Sequence, residues 1–503
     1  MEQASNSGYS RRRLLKTLGW MGLGATASLP LLQGCATAPP AAVSGQTPVA
    51  APTPAPASGG APTPAGTTAS ATQAAAKPAA LKTFDGTTVN SVFVSGEHDD
   101  TLLRERIGAV KDSLGITLTV NDIGGAALHD KVAQGLRSGQ SPYEVTAVVG
   151  FWMAEMIQPG FFEPLEKYLN DPQLTPADFN FDDFVAKHLD YISYWNVDEH
   201  RNGRPGTLFL IPGPHSDANM VVYRKDLFQK YGVDAPPKTW DEYVQIARKL
   251  HHPEDGVYGT AFIGKNDSNL ALVDWGNRFI SLGGQMFTGS LKDKTVVPHI
   301  DSDPSVQAID NMVQLLDYSP PGVSSYALTE VADSMSAGKI GIMLMWATIG
   351  GRAWSPQLSK VTDKVEAAVP PGNGVTVRGG WGMGIPKDVK NKEAAWAVIR
   401  YYSSKEADKA RVMNYGDAAV RTSTFQDPDV VKTYPYYPTF GKLLADATSF
   451  PTLPFPEGSQ MIDALALNFN QAVIKQVSPK QACQSAQAAI QQILKQGGWN
   501  TSA

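Results

Sequence analysis

Residues 89–94 read Val-Asn-Ser-Val-Phe-Val, 116–120 read Ile-Thr-Leu-Thr-Val, and 144–149 read Glu-Val-Thr-Ala-Val-Val. Short runs rich in β-branched and apolar residues predict three strands. Between them, 99–114 and 126–138 carry apolar residues at helical intervals. Strand, helix, strand, helix, strand is the pattern of an α/β fold with a mostly parallel sheet. Further along, strands are expected at 207–211, 220–223, 258–263, 340–345, 365–369 and 381–385. Helices are expected at 240–250, 304–316, 392–403 and 461–474. The helix at 240 has a clear start signal, Thr239 as N-cap with Glu242 three residues on. No internal repeat of fixed period appears.

The chain has 503 residues, 42% of them apolar and 18% charged, which suits two or three packed domains rather than a disordered chain or a multi-span membrane protein. A formal charge of −5 provides no electrostatic footprint for nucleic acid. Two cysteines form neither a disulfide framework nor a four-ligand zinc site.

The first eighty residues read as an address and a tether. Ser10-Arg11-Arg12-Arg13-Leu14-Leu15-Lys16 precedes an apolar run at 18–32, the layout of a secretory signal. The run falls short of the roughly 20 residues of a membrane span. The adjacent arginines resemble a twin-arginine signal, with Leu14 where Phe is common; a general secretory signal is the alternative. Leu31-Leu32-Gln33-Gly34-Cys35 resembles a bacterial lipobox. That resemblance implies removal of residues 1–34 and a lipid on Cys35, anchoring the protein to the outer face of the cytoplasmic membrane. An ordinary signal with an incidental Cys is the alternative. Residues 36–80 are almost all Ala, Pro, Thr, Ser and Gly. Such a stretch buries too little apolar surface to offset its ordering entropy, so 35–82 is read as a linker. Cys483 falls in a helical pattern at 481–494 and reads as a small buried residue.

Several chemistries are absent. There is no His-Glu-x-x-His, CxxC, EF-hand loop, P-loop or Gly-x-Ser-x-Gly elbow. Gly382 and Gly384, after Gly379-Gly380, open no helix and read as strand. His251-His252 sits before Pro253 at a helix end, not in a metal-ligand pattern. No metal or cofactor is expected. Asp99-Asp100, or Glu97 with Asp217, can be imagined as a glycosidase acid pair. Polar groups hydrogen-bonding a neutral ligand are the simpler reading.

In open α/β sheets, ligands sit beyond the carboxyl ends of the strands. After the first predicted strand come Glu97, His98 and Asp99. After the third comes Trp152; after the strand ending at 211 come His215, Asp217 and Asn219; after 345 comes Trp346. Trp381 is expected at the start of a strand, beside Gly379-Gly380. Indoles and carboxylates together suit a neutral polyhydroxylated ligand: rings pack on sugar C–H faces and carboxylates accept hydroxyl hydrogen bonds. Trp152, Trp346 and Trp381 are the stacking candidates, and Trp275, inside a helical stretch, is a fourth. Trp240 and Trp396 are assigned to packing.

Six segments, in order, are similar to one family. Gly160-Phe161-Phe162-Glu163-Pro164-Leu165 is the first. Val222-Tyr223-Arg224-Lys225-Asp226-Leu227-Phe228 is the second, with Arg224 in place of the usual Asn. Then come Pro236-Pro237-Lys238-Thr239-Trp240-Asp241-Glu242, Ala337 to Met343 with Trp346, Gly384-Ile385-Pro386 with Asn391 to Trp396, and Gly416 to Asp429. They resemble the family 1 extracellular solute-binding proteins of ABC importers, the group that includes the maltose-binding protein. Pro320-Pro321-Gly322 and the Lys339 segment look most like its polyol and monosaccharide branch.

The resemblance implies a two-lobed periplasmic-binding-protein fold with a three-segment hinge and a cleft. By analogy the N-terminal lobe takes 83–213 and 380–435, and the C-terminal lobe 214–379 and 436–503. It implies a monomeric, non-enzymatic receptor that closes on a carbohydrate and delivers it to an ABC permease. Asp217 falls where relatives place a cleft-facing acid, and Trp346 where they stack a sugar ring. Glu97 and Asp99 are expected as further hydroxyl acceptors, and Arg421 as an orienting donor. Three rival readings stay open: a secreted glycoside-active enzyme, a receptor feeding a sensor, and a binder of an anionic metabolite using Arg352, Arg378 and Arg421.

Overall fold

The computed structural model describes residues 81–95, 100–372 and 374–502. The expected signal, Cys35 and the linker up to residue 80 lie outside the described residues, as do Glu97 and Asp99.

The chain opens with β1 (Thr88–Val94), α1 (Ile107–Leu114), β2 (Thr117–Ile123), α2 (Gly125–Ser138) and β3 (Val145–Val149). β1 pairs with β2 and β3, both parallel, as the alternating pattern requires. The helix expected over 99–114 is broken at Arg106, with a short first piece, Thr101–Glu105. α3 (Ala186–Ile192) leads to β4 (Ile211–Arg224), then α4 (Trp240–Lys249), β5 (Tyr258–Thr260) and α5 (Asp303–Leu315). β6 (Ile340–Trp346), β7 (Val365–Ala368) and β8 (Arg378–Gly384) come next. The chain closes with α6 (Lys392–Tyr402), α7 (Tyr437–Asp446), α8 (Gly458–Val473) and α9 (Pro479–Gln496). α4 starts as expected: Thr239 Oγ1 accepts from the Glu242 N–H at 3.1 Å, and Glu242 Oε2 accepts from the Lys238 N–H at 2.6 Å.

The strands join in the order β2-β1-β3-β8-β4-β6-β5, with β7 also on β4. β4 is the pivot. Its first half pairs antiparallel with β8, and its second half with β6 on one edge and β7 on the other. Of the two strands expected at 207–211 and 220–223, Thr207–Leu208 forms a separate short strand in a small three-stranded sheet, and one continuous strand, β4, runs from Ile211 through the second. Residues 212–219 read as a loop because they hold Gly213, Pro214 and four polar side chains. β8 supplies their backbone partners instead, and the missing Pro214 N–H falls where the register shifts between Gly380 and Gly382. β8 likewise begins three residues early, so Trp381 lies mid-strand rather than at a strand start.

The buried apolar side chains form two clusters. The first draws on 89–211 and 381–402, the second on 218–377 and 412–494, with Ala407, Val420 and Leu453 belonging to the first. Three segments pass between them. β4 and β8 are two; the third lies between Ala407 of the first cluster and Val412 of the second. Thr448, in the second cluster's span, pairs beside β8, its N–H donating to Thr376 O at 2.9 Å and its O accepting from the Arg378 N–H at 2.7 Å. This is the three-segment hinge.

Candidate functional site

The crossing strands carry the site. Gly379 in β8 faces Asp217 in β4, and two residues on, Trp381 faces Val149 at the end of β3. Three residues after Val149, Trp152 ends the short turn Gly150–Trp152. The Trp152 and Trp381 rings meet edge to face, centroids 5.3 Å apart and planes at 88°. This orientation places the positive edge of one ring on the negative face of the other.

Trp346 ends β6, opposite Asn219 of β4. Its benzo edge covers Gly379: a Cβ there would lie 3.0 Å from Trp346 Cζ3, 3.1 Å from Cη2 and 3.2 Å from Asp217 Cβ. Only glycine lets indole, carboxylate and strand approach this closely. Thus β8 gathers Trp381, Trp346 and Asp217 within a few residues, Trp152 joins through Trp381, and both cores contribute.

Asp217 is 4% exposed. Its Oδ1 accepts from the Ala218 N–H at 3.0 Å and the Thr348 N–H at 3.3 Å, and His215 Nε2 is 3.9 Å from Oδ2. Burial pushes its pKa up to about 7, against the pull of His215 and Thr348. A carboxyl so poised accepts or donates hydrogen bonds to hydroxyl groups. On the neighbouring position of β8, Gly380 (φ 119°) lies against His188, whose Cε1 would be 2.6 Å from an added Cβ. His188 is fully buried, and neither ring nitrogen has a hydrogen-bond partner among the described residues. Burial, with Arg378 nearby, holds it well below the usual histidine range, so it is neutral.

Around Trp152 stands a second polar group. The His129 ring lies 5.2 Å from the Trp152 ring, and its Nε2 is 2.8 Å from Glu155 Oε2. Its Nδ1 is 3.1 Å from Asp130 Oδ1, and Arg137 also bonds Glu155. The hydrogen bond to Glu155 raises the His129 pKa, against partial burial. α8, from the second core, packs on the same turn, with Gly458 placed so that a Cβ would be 3.4 Å from Phe151 O.

Two expected site residues are not brought to this group. Trp275 is fully buried in the second core; its Nε1 donates to Ser305 Oγ at 3.0 Å and its ring stacks on Phe279 at 4.5 Å. It is a packing residue, and it lies in a π-helical turn, Leu270–Trp275. Arg421 is fully buried too. Nε and Nη2 donate to Ser403 O at 2.9 and 2.7 Å, Nη1 to Asn180 O at 3.0 Å, and Phe184 lies beneath at 4.1 Å. Its donors are committed to protein acceptors, so it ties segments of the first core together instead of orienting a ligand. Arg378 caps α7, with Nη2 donating to Leu444 O at 2.5 Å and Ala447 O at 2.9 Å. Among the described residues, no group of three or more His, Cys, Asp or Glu is arranged to hold a metal ion.

Residues the sequence did not single out include His129, Glu155, His188 and Asn269, whose Oδ1 accepts from Trp346 Nε1 at 2.8 Å. Glu155 lies three residues after Trp152, close enough to a strand end for its position to have marked it; the others are placed only by tertiary packing.

Comparison with known proteins sets this geometry in context. The family model described as bacterial extracellular solute-binding protein matches residues 105–409. A probable amino-acid ABC transporter periplasmic-binding protein of Sinorhizobium fredii is 27% identical over 426 residues, 83% of this chain and 92% of that protein. The mannitol-binding protein of Pseudomonas aeruginosa is 27% identical over 365 residues, 68% of this chain and 78% of that one. Among solved structures, an ABC transporter solute-binding protein of Agrobacterium radiobacter in complex with ribitol superposes with a TM-score of 0.72 at 24% identity, covering 82% of this chain and all of that one. One from Agrobacterium vitis with bound D-mannitol gives 0.71 at 23%, covering 82% and 99%. With the fold, the hinge and the family match in agreement, the chain belongs to the bacterial extracellular solute-binding proteins of ABC transporters, a family of non-enzymatic receptors.

Proposed function

We propose that the protein captures a small neutral polyhydroxylated solute, a polyol or monosaccharide, by closing its two lobes on it, and delivers it to an ABC permease. The observation that carries this reading is the meeting of Trp152, Trp381, Trp346 and Asp217 at strands that cross between the two cores. Indoles from both cores offer C–H packing surface, and a buried carboxyl beside them matches hydroxyl groups. A ligand touching both lobes shifts the population toward the closed form by its differential affinity. The relatives that bind mannitol and ribitol support the same solute class. An anionic solute would need unengaged cations here. Arg421 spends its donors on protein acceptors, and Arg378 directs Nη2 to helix carbonyls, which leaves Arg378 Nη1 as the one buried donor of this pair without a hydrogen-bond partner among the described residues.

The reading extends to the flanking segments. Glu97 and Asp99 serve as further hydroxyl acceptors at the cleft. The lobes take 83–213 with 380–435 and 214–379 with 436–503. The twin-arginine-like signal exports the chain, and lipid on Cys35 anchors it, with the linker letting the receptor reach its permease. A thermal-shift panel of polyols, sugars and sugar phosphates tests the solute class, because a ligand of the native state alone raises the melting temperature. A rise with neutral polyols or monosaccharides is expected; a rise with charged metabolites only overturns the reading.

A further inference from the structure

Trp346 is held at both ends. At one end, its benzo edge meets Gly379. At the other, its Nε1–H donates to Asn269 Oδ1 at 2.8 Å. Asn269 is itself fixed: both its backbone N–H and its Nδ2 donate to Asp267 Oδ1, each at 2.9 Å. The chemistry leaves the amide one orientation. Indole N–H only donates, so Oδ1 must face it, and the carboxylate accepts the NH₂. Asp267 O also accepts from the Leu270 N–H at 2.9 Å, which begins the π-helical turn Leu270–Trp275. Such turns are rare and concentrate at functional sites. Among the described residues, no aromatic ring stacks on Trp346, although it is only 8% exposed.

We propose that Asn269, locked by Asp267, is the positioning residue that sets the plane of Trp346 for solute stacking. The inference rests on the proposed solute-receptor function and assigns its second-lobe contact. A ring pinned at its two ends presents its face at one angle, and orientation fixed before binding lowers the ordering cost of capture. The hydrogen bond is the element that fixes rotation about the Cβ–Cγ axis, because the Gly379 contact is apolar and admits sliding. The requirement at 267 is an acceptor, not a charge. Asp267→Asn, keeping a side-chain oxygen there, therefore preserves the arrangement.

The test compares the full-length protein with Asn269→Ala, Asp267→Asn, Trp346→Phe and the Trp346→Phe/Asn269→Ala double variant. Two readouts are taken: near-ultraviolet circular dichroism without ligand, and D-mannitol affinity by calorimetry. The Trp346 signal is the wild-type spectrum minus that of Trp346→Phe. Asn269→Ala is expected to remove most of that signal and to weaken D-mannitol binding about tenfold, the scale of one buried hydrogen bond plus a freed side chain. Asp267→Asn is expected to keep the signal and stay within about threefold of wild type. In the Trp346→Phe background, Asn269→Ala is expected to cost nothing further, since the two changes act on one interaction. An unchanged Trp346 signal in Asn269→Ala, or an equal affinity loss in both backgrounds, overturns the assignment. If D-mannitol does not bind the wild type, the polyol reading takes the failure, and the ligand-free spectra still decide whether Asn269 orients Trp346.

Discussion

Trp152 and Trp381 stand edge to face, their centroids 5.3 Å apart, although 228 intervening residues separate them in sequence. β3 and β8 make the meeting, through the Val149–Trp381 pairing. The contact builds a rigid aromatic corner at the end of a parallel strand, where α/β proteins hold ligands.

Truncating that corner should cost binding in addition to the stability lost with any buried indole. Trp152→Ala removes a ring that contacts Trp381, Phe151 and His129. The expected loss of solute affinity is tenfold or more, on the order of 1.5 kcal/mol or above. Trp275→Ala should lower the melting temperature through a core cavity of about 3–5 kcal/mol but leave the solute affinity of the folded protein near that of wild type. Calorimetric titration and thermal melts on both variants separate the two roles.

The carboxyl of Asp217 makes stability depend on pH with a defined sign. Its folded pKa is raised to about 7 by burial, above the value near 3.9 of an unfolded chain. Its contribution is therefore fully present below the unfolded value and lost as pH rises through about 7. Above that, the folded protein carries a buried charge. Asp217→Asn should melt higher than wild type at about pH 8, and the gap should narrow toward about pH 5. The same variant should bind the solute more weakly. Melting curves across pH check the first point, and a gap that widens on acidification contradicts it.

His129 acts with the opposite charge form but the same direction. Glu155 raises its pKa, with Asp130 adding to the effect. Stability from the protonated ring is present below its unfolded value near 6.5 and lost as pH rises through the higher folded value. Asp463 of α8 lies within electrostatic reach of the ring, and of Asp130 and Asp267. His129→Gln should flatten the loss of stability expected of the wild type above neutral pH. A histidine titration by NMR should place His129 above the ordinary histidine value.

The two adjacent glycines of β8 should respond differently to alanine. Gly379→Ala puts a methyl 3.0 Å from the Trp346 ring, so the indole must shift and affinity should fall with a modest stability cost. Gly380→Ala faces φ 119° together with contacts of 2.6 Å to His188 and 2.7 Å to the His215 carbonyl. It should destabilise by about 1–3 kcal/mol or more. Chemical denaturation of both variants tests the order.

The alternating stretch 89–149 was readable because its strands and helices, apart from the break at Arg106, keep their periods, and its pairings are local. Trp152, Trp346 and Asp217 were legible because each lies just past a predicted strand end, where α/β sheets hold ligands. The hinge was harder. Residues 212–219 look like a loop until Gly379 and Gly380 offer backbone partners from more than 150 residues away. Arg421 and Trp275 looked available because a sequence does not show that Ser403 O, Asn180 O or Ser305 Oγ already engages them. Asn269 and His188 gave no local signal: each gains meaning only from the ring or strand that folding sets beside it.

The most direct measurement is a crystal structure of the protein with the neutral solute that gives the largest thermal shift. The solute's carbon skeleton is expected to pack on Trp152, Trp381 and Trp346, with a hydroxyl bonded to Asp217, between the two cores. A solute bound away from these four side chains, or one held there by a charged group, would contradict the proposed capture of a neutral polyol.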